Sequence, residues 1–137
     1  MPLPRNKAFA LFLPPALVVV GALALLADQR YEHWDVIKRA EALTGGNSNR
    51  GKAAFRKYGC GGCHAVKGLP QASGLVGPPL DGIAGRGIIA GRLENKPENL
   101  ERWIMDPQAV SPGTAMPRLG VTAEDSRDLA AFLYTRT

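Results

Sequence analysis

The residues best suited to chemistry in this 137-residue chain are two cysteines and a histidine, in the order Cys60-Gly61-Gly62-Cys63-His64. Two thiols at this spacing can add across the two vinyl groups of one porphyrin, and the next residue then places its imidazole over the iron. We therefore predict one covalent haem c, attached through Cys60 and Cys63, with His64 as the proximal ligand. Glycine at both intervening positions would leave room for the macrocycle.

Other uses of paired cysteines fit this sequence less well. A thioredoxin-like redox pair would follow a strand in a βαβ unit, whereas the residues before Cys60 favour a short helix, Asn49–Tyr58, capped by Ser48. A zinc site needs four ligands, and the other histidine, His33, is far away in the sequence. A disulfide framework usually requires more than two cysteines.

A second axial ligand for the iron is predicted at Met116. A thioether there suits electron transfer, whereas an open position suits small-molecule chemistry. Met116 lies in the stretch 111–117, whose prolines stiffen a loop at little entropic cost. Met105 instead falls in a predicted helix, Glu98–Asp106, that Pro97 would open, and it is expected to be an ordinary helix side chain.

A charge-free run of twenty residues, Ala8–Ala27, follows Arg5 and Lys7. Twenty helical residues span about 30 Å, the thickness of the hydrocarbon core of a bilayer. A secretory signal peptide has a similar basic start but a shorter apolar core, and Ala22-Leu23-Ala24, which could serve as its cleavage site, lies inside the run. The length therefore favours a retained single-pass anchor, with the N-terminus in the cytoplasm and the rest exported.

The sequence after the apolar run divides into two further parts. Apolar residues at i, i+4 and i+7 predict a helix over 28–43, and the glycines of 44–47 then break it and suggest a hinge. The remainder has the length of one small domain, about 90 residues. We therefore predict a membrane segment at 1–30, a juxtamembrane helix and hinge at 31–46, and a haem domain at 47–137.

Composition and charge argue against a nucleic-acid-binding protein. Hydrophobic residues make up 45% and charged residues 21%, as in an ordinary globular protein, and the net charge is +5. There is no run of five or six basic residues and no interleaving of aromatic with basic side chains, so nucleic acid is not expected as a partner. A basic surface would instead suit acidic redox partners and steer their approach at low salt.

These residues together resemble class I cytochromes c, and the resemblance covers residues 47–134. The family's first helix carries a glycine and, four residues on, an aromatic residue that cross the last helix, and Gly51 and Phe55 match them. The expected contacts in the last helix, Glu124–Tyr134, are Leu129 and Phe132. The resemblance implies an all-α fold, a small cytochrome c domain around one covalent haem, here preceded by a single N-terminal transmembrane helix.

The resemblance also implies roles for residues outside the attachment motif. The family's Gly-Pro-x-Leu sequence is present at 77–80, so the carbonyl of Pro78 would accept the free imidazole N–H of His64 and fix the ring. The family's Gly-x-x-Gly-Arg sequence, here 82–86, makes Arg86 the expected partner of a haem propionate.

Further matches concern the distal side of the haem. The sequence PGTAMP is the family's usual distal loop and implies Met116 as the ligand. Trp103 and Tyr58 are expected to pack on or near the haem, and an ordinary role in the core fits either residue equally well.

A closer likeness, through residues 91–95, 99–104 and 106–108, is to the cytochrome c domain fused to subunit II of some haem-copper oxidases. The sequence departs from those fusions because one hydrophobic segment, and no copper-binding domain, lies ahead of the cytochrome segment. It is therefore similar to a free-standing, membrane-tethered cytochrome c, and we expect it in the bacterial inner membrane with the haem domain in the periplasm.

The resemblance implies outer-sphere transfer of single electrons rather than catalysis. The expected partners are a quinol-oxidising complex or a dehydrogenase as donor and a terminal oxidase as acceptor. One alternative is a permanent haem subunit of a larger respiratory complex. Another is a haem enzyme or gas sensor, which would require Met116 to be away from the iron.

Overall fold

The computed structural model describes residues 14–137. Within these residues it contains five α-helices, two 3₁₀ turns and one two-stranded ribbon. The chain divides into two compact units, Met1–His33 and Trp34–Thr137, the first of which is described from residue 14 onward. All the predicted site residues belong to the second unit.

Helix α1 spans Pro15–Thr44 and begins well before the helix predicted at 28–43. A proline fits the first turn because the backbone N–H that it lacks has no partner there. No helix within residues 14–137 has both the length and the apolar character that a membrane span requires. The transmembrane helix predicted over 8–27 is therefore not found in this part of the chain, and residues 8–13 lie outside the described residues.

Helix α1 ends in a hydrogen-bonded turn. The hydroxyl of Thr44 donates to the carbonyl oxygen of Ala40 (2.8 Å) and accepts the backbone N–H of Gly46 (3.1 Å). Gly46 lies so close to the last helix that a Cβ would come within 2.2 Å of the carbonyl oxygen of Arg127. The helix break predicted at 44–47 is confirmed, and the hinge motion predicted there stays a prediction.

Helix α2 spans Ser48–Lys57 and starts one residue earlier than predicted. Its N-cap is Asn47, whose side-chain oxygen accepts the backbone N–H of Arg50 at 2.9 Å. Ser48, the predicted cap, is instead the first helical residue, and its hydroxyl donates to a carboxylate oxygen of Glu41 at 3.2 Å. The prediction was wrong by one residue because asparagine and serine suit a helix start about equally.

Helix α5 spans Ala123–Tyr134 and crosses α2 at Gly51. A Cβ on Gly51 would come within 1.8 Å of the carbonyl oxygen of Asp128, so a side chain at this point would force the helices apart. Phe55, one turn further along α2, packs edge-on against Phe132 with ring centroids 5.6 Å apart. The predicted crossing of the first and last helices of the cytochrome segment is confirmed.

The elements between α2 and α5 are short and connect the loops that form the site. They are two 3₁₀ turns, Cys60–Gly62 and Ile83–Gly85; strands β1, Ile88–Ile89, and β2, Leu93–Glu94; and helices α3, Pro97–Met105, and α4, Pro107–Val110. The two strands pair antiparallel. The prediction of a mostly helical fold is confirmed, and this small ribbon is the exception to its all-α form.

Helices α2, α3 and α5 enclose an apolar core. Leu100 and Ile104 of α3 are buried at the spacing predicted for that helix, and Leu129 of α5, the other predicted crossing contact, is buried beside them. Trp103 is partly buried and packs against the same cluster. These four residues also form one wall of the candidate site.

Candidate haem-binding site

The attachment motif forms the tight turn that follows α2. Helix α2 ends at Lys57, and Gly59, with a φ of 67°, turns the chain into the 3₁₀ turn at Cys60. The backbone N–H of His64 then donates to the carbonyl oxygen of Cys60 at 2.9 Å. This turn holds both thiols and the imidazole close to one end of α2.

The two glycines between the cysteines have different surroundings. A Cβ on Gly61 would come within 2.6 Å of the carbonyl oxygen of Gln71, whereas a Cβ on Gly62 would meet no atom within 4 Å. The carbonyl oxygen of Gly61 also accepts the backbone N–H of Gly74 at 3.1 Å. Glycine at position 61 is therefore required by a neighbouring loop, a reason different from the room for a macrocycle that we predicted.

The imidazole of His64 is constrained from two sides. Its Nδ1 lies 2.8 Å from the carbonyl oxygen of Pro78, the contact implied by the family resemblance. A carbonyl oxygen can only accept, so Nδ1 carries the proton and Nε2 keeps the lone pair that can bind a metal. On the other side, a Cβ on Gly77 would come within 2.3 Å of the ring atom Cε1. Gly77 therefore leaves the space that the ring occupies, a role that local sequence signals do not reveal.

All the predicted site residues line one cavity of about 410 Å³. They come from separate segments that the fold brings together: Cys60, Cys63, His64, Pro78, Arg86, Trp103 and Met116. Most other lining residues are apolar, and Arg86 is the one lining residue with a permanent charge in the described part of the chain. The volume lies within the range of about 300–1,000 Å³ typical of pockets for small molecules and cofactors.

The two methionines of the described chain occupy different environments. Met116 lies in the irregular loop after α4 and lines the cavity. Met105 is the last residue of α3, as predicted, and is not among the lining residues. Met116 is therefore the methionine whose sulfur can face a cofactor in this cavity.

Arg86 is held at the edge of the cavity by backbone carbonyl groups. Its Nη2 donates to the carbonyl oxygens of Pro79 (2.5 Å) and Asp81 (3.2 Å). These bonds bring the guanidinium next to the loop that carries Pro78. A planar guanidinium with several N–H donors suits a carboxylate, so contact with a haem propionate stays the expectation for Arg86.

Asn95 stabilises the segment around Arg86, a role that no local motif predicts. Its Nδ2 donates to the carbonyl oxygens of Ile83 and Arg86, both at 2.8 Å, and its Oδ1 accepts the hydroxyl of Tyr134 at 2.9 Å. Burial raises the pKa of Tyr134, so this hydroxyl stays protonated and donates. The side-chain amide thus ties the wall of the cavity to α5.

Tyr58 lines the cavity with its ring and is fixed by its hydroxyl. The hydroxyl donates to a carboxylate oxygen of Asp125 at 2.7 Å, and the ammonium of Lys57 donates to the same oxygen at 2.9 Å. These two hydrogen bonds, with that of Tyr58 the larger cause, lower the pKa of Asp125. Tyr58 and Trp103 both line the cavity and pack against the core, and their contact with a haem stays a prediction.

The alternative uses of the cysteine pair gain no support from the structure. Both cysteines are free thiols, and burial raises the pKa of Cys60 to about 11, whereas redox-active cysteines have a lowered thiol pKa. Within residues 14–137, no group of three or more histidine, cysteine or carboxylate side chains could hold a metal ion.

The residues present fit haem c. The residues that carry two thiols, a ring nitrogen with a free lone pair, a thioether and a guanidinium all line one largely apolar cavity. Thiols can form the covalent links, the imidazole and thioether are the axial ligands of electron-transfer haem proteins, and apolar walls limit the access of water.

Comparison with known proteins agrees with this site. The family model described as cytochrome c matches residues 48–137. Cytochrome c oxidase subunit 2 of Alkalihalophilus pseudofirmus is 38% identical over 132 residues, which cover 94% of this chain and 38% of that subunit. The chain therefore spans about two fifths of the length of that relative.

Smaller relatives are covered more fully. Cytochrome c-550 of Nitrobacter winogradskyi is 35% identical over 95 residues, 61% of this chain and 84% of that protein. Cytochrome c2 of Rhodoplanes tepidamans is 38% identical over 96 residues, 61% of this chain and 86% of that protein. No solved structure gives a significant match. The chain therefore belongs to the cytochrome c family, whose domain implies haem c and whose members carry electrons.

Proposed function

We propose that this chain is a membrane-tethered monohaem c-type cytochrome with its haem linked through Cys60 and Cys63. It passes single electrons in a respiratory chain, from a quinol-oxidising complex or a dehydrogenase to a terminal oxidase. The proposal rests on the observation that both cysteines, His64 and Met116 line the same cavity. Haem c, when bound, supplies an iron that alternates between Fe(III) and Fe(II).

The residues of the chain have separate roles in this proposal. The carbonyl of Pro78 keeps the proton on Nδ1 of His64 and so leaves Nε2 for the iron. Met116 would supply its thioether as the second ligand of the iron and would keep small molecules away from it. Arg86 offers a positive charge to a propionate, and Trp103 with the other apolar lining residues excludes water.

Membrane tethering is supported by the apolar run Ala8–Ala27 behind Arg5 and Lys7. Within its described part, the large apolar side chains of α1 are exposed, as expected of a surface that contacts lipid. They are Leu17, Val18, Val19, Val20, Leu23, Leu25 and Leu26. The proposal places the anchor in the bacterial inner membrane and the haem domain in the periplasm.

A second candidate, a permanent haem subunit of a larger respiratory complex, has its own support. The similarity to an oxidase subunit 2 covers 94% of the chain and so extends beyond residues 48–137, which match the family model. Purification from native membranes in mild detergent separates the two candidates. A carrier is recovered free of an oxidase, whereas a permanent subunit remains bound to one through every step.

The axial ligand is tested with Met116→Leu and the matched control Met105→Leu. We expect both variants to keep their pigment in acid acetone, because neither methionine holds the haem covalently. The reduced Met116→Leu protein should bind carbon monoxide much faster than wild type, because leucine cannot ligate iron, and Met105→Leu should behave as wild type. The proposal would be refuted if the wild-type protein lost its pigment in acid acetone, because the haem would then not be covalently bound. It would also be refuted if the reduced wild-type protein bound carbon monoxide rapidly, a result that would favour an open-site haem enzyme or sensor.

A further inference from the structure

Gln108 makes three hydrogen bonds to the loop that carries Met116. Its Nε2 donates to the carbonyl oxygens of Thr114 (2.8 Å) and Met116 (3.0 Å), and its Oε1 accepts the backbone N–H of Gly113 (3.0 Å). Both hydrogens of the amide and its oxygen are thereby used, which fixes the orientation of the group. The backbone N–H of Met116 has a longer contact, 3.5 Å from the Oγ1 atom of Thr114.

The helix that carries Gln108 is itself fixed. Gln108 lies in α4, whose first residue, Pro107, is buried and whose N-cap, Asp106, accepts a backbone N–H of that helix at 3.1 Å. The carboxylate of Asp106 also lies 3.6 Å from the guanidinium of Arg118, just after the loop. The chain is therefore held near α4 at two points, just beyond the loop 111–117 by the ion pair of Arg118 with the N-cap residue, and within the loop by Gln108.

We infer that Gln108 is a positioning residue that holds the sulfur of Met116 at the cavity. The inference rests on the proposed function, in which Met116 supplies the second axial ligand. A ligand on a loop occupies its position more fully when the loop is already ordered, because less conformational entropy is lost on binding. Gln108 bonds to the peptide of Met116 itself, so its loss increases the population of loop conformations in which the sulfur is away from the cavity.

The test compares Gln108→Ala and Gln108→Glu with the control Asn99→Ala in the haem-loaded full chain. The amide of Asn99 also donates to a backbone carbonyl, that of Glu94 at 2.9 Å, but it does not touch the loop 111–117. The glutamate variant keeps an acceptor for the N–H of Gly113 and loses both donors. Three quantities are measured: the rate of carbon monoxide binding by the reduced protein, the absorption band of sulfur-ligated Fe(III), and the hydrogen exchange of the Gly113 amide.

We expect carbon monoxide binding to accelerate roughly tenfold in both Gln108 variants, the change that corresponds to the loss of one or two ordinary hydrogen bonds. The band of sulfur-ligated Fe(III) should weaken in the same proteins. Asn99→Ala should stay within about twofold of wild type, because no bond to the loop is lost. The amide of Gly113 should stay protected in Gln108→Glu and exchange faster in Gln108→Ala, which shows that the loop still folds in the glutamate variant.

Two results would overturn the inference. If both Gln108 variants bind carbon monoxide at the wild-type rate and keep the sulfur band, Gln108 does not position the sulfur, while the ligand assignment itself stands. If wild type already binds carbon monoxide as fast as Met116→Leu, the ligand assignment fails and the inference fails with it.

Discussion

The imidazole of His64 occupies space that is free only because residue 77 is a glycine. A Cβ on Gly77 would come 2.3 Å from Cε1 and 2.6 Å from Nδ1 of the ring, whereas carbon atoms in contact stay about 3.5 Å apart. The ring also has a fixed partner, because Nδ1 donates to the carbonyl oxygen of Pro78. An added methyl group must therefore displace either the ring or the loop, and both displacements break the geometry that leaves Nε2 free.

We expect Gly77→Ala to reduce the amount of haem per polypeptide severalfold and to destabilise the protein by about 1–3 kcal/mol, the usual effect of overpacking. Gly85→Ala is the matched control, because a Cβ there would meet no atom within 4 Å. Haem content and urea unfolding of the purified proteins measure both effects. Equal haem content in the two variants would show that the ring does not depend on Gly77.

The residues that bear the chemistry were predictable, as was the support of His64 by the carbonyl of Pro78, whereas the roles of other supporting residues were not. Cys60, Cys63 and His64 form a motif whose spacing has a chemical reason, and Met116 is marked by the prolines around it. Gly77 and Gln108 lie in stretches that resemble the family, 77–80 and 106–108, but the resemblance did not indicate their roles. Their roles depend on contacts with a ring or a loop whose orientation only the folded chain defines.

At the level of elements, a small group of polar side chains joins the end of α2 to the start of α5. The hydroxyl of Tyr58 and the ammonium of Lys57 both donate to Asp125, and the pKa of its carboxyl is lowered from the ordinary 3.8. The folded protein therefore holds this proton less tightly than the unfolded chain does. The stabilisation is present above the unfolded pKa and is lost as the pH falls through the lower, folded value.

We expect Asp125→Asn to lower the free energy of unfolding at neutral pH by about 1 kcal/mol, since the group is partly exposed and its interactions are screened. Stability should also fall less steeply as the pH is lowered below about 4, because one titrating group is gone. Tyr58→Phe should act in the same direction, and Glu124→Gln, which removes an exposed neighbouring carboxylate, is the control. Urea unfolding across this pH range measures the slope, and an unchanged slope in Asp125→Asn would contradict the assignment.

The success of the helix predictions followed the strength of the local signals. The helices predicted at 98–106 and 124–134 agree with α3 and α5 to within one residue. Pro97 and the apolar spacing indicated the first helix, and the family resemblance implied the second. The ribbon of β1 and β2 was missed, since strands of two residues are too short to show a period. Its turn contains Ala90 with a φ of 53°, a left-handed conformation that favours glycine or asparagine, and an alanine does not predict it.

For the whole molecule, the compact unit that holds the site begins before the segment that matches the family. The family model matches from residue 48 and the predicted domain from 47, yet the compact unit starts at Trp34. Within the last turns of α1, Ala40 and Thr44 are buried, and a carboxylate oxygen of Glu41 accepts the backbone N–H of Ser48 at 2.9 Å. The end of α1 therefore contributes to the stability of the haem domain as well as joining it to the segment before it.

This contribution predicts different stabilities for two truncated proteins, residues 34–137 and 47–137, each exported behind a cleavable signal. Both should be released from the membrane as coloured proteins, because the proposed anchor is gone. The longer protein should unfold at the urea concentration of the full-length protein. The shorter one should be less stable by about 1–3 kcal/mol, because the burial of Ala40 and Thr44 and the hydrogen bond to Glu41 are lost.

The control is Glu41→Ala in the longer protein, which should lower the free energy of unfolding only by the part that the hydrogen bond contributes. If both truncated proteins unfold at the same urea concentration, the domain begins at residue 47 and the end of α1 only connects it to the anchor.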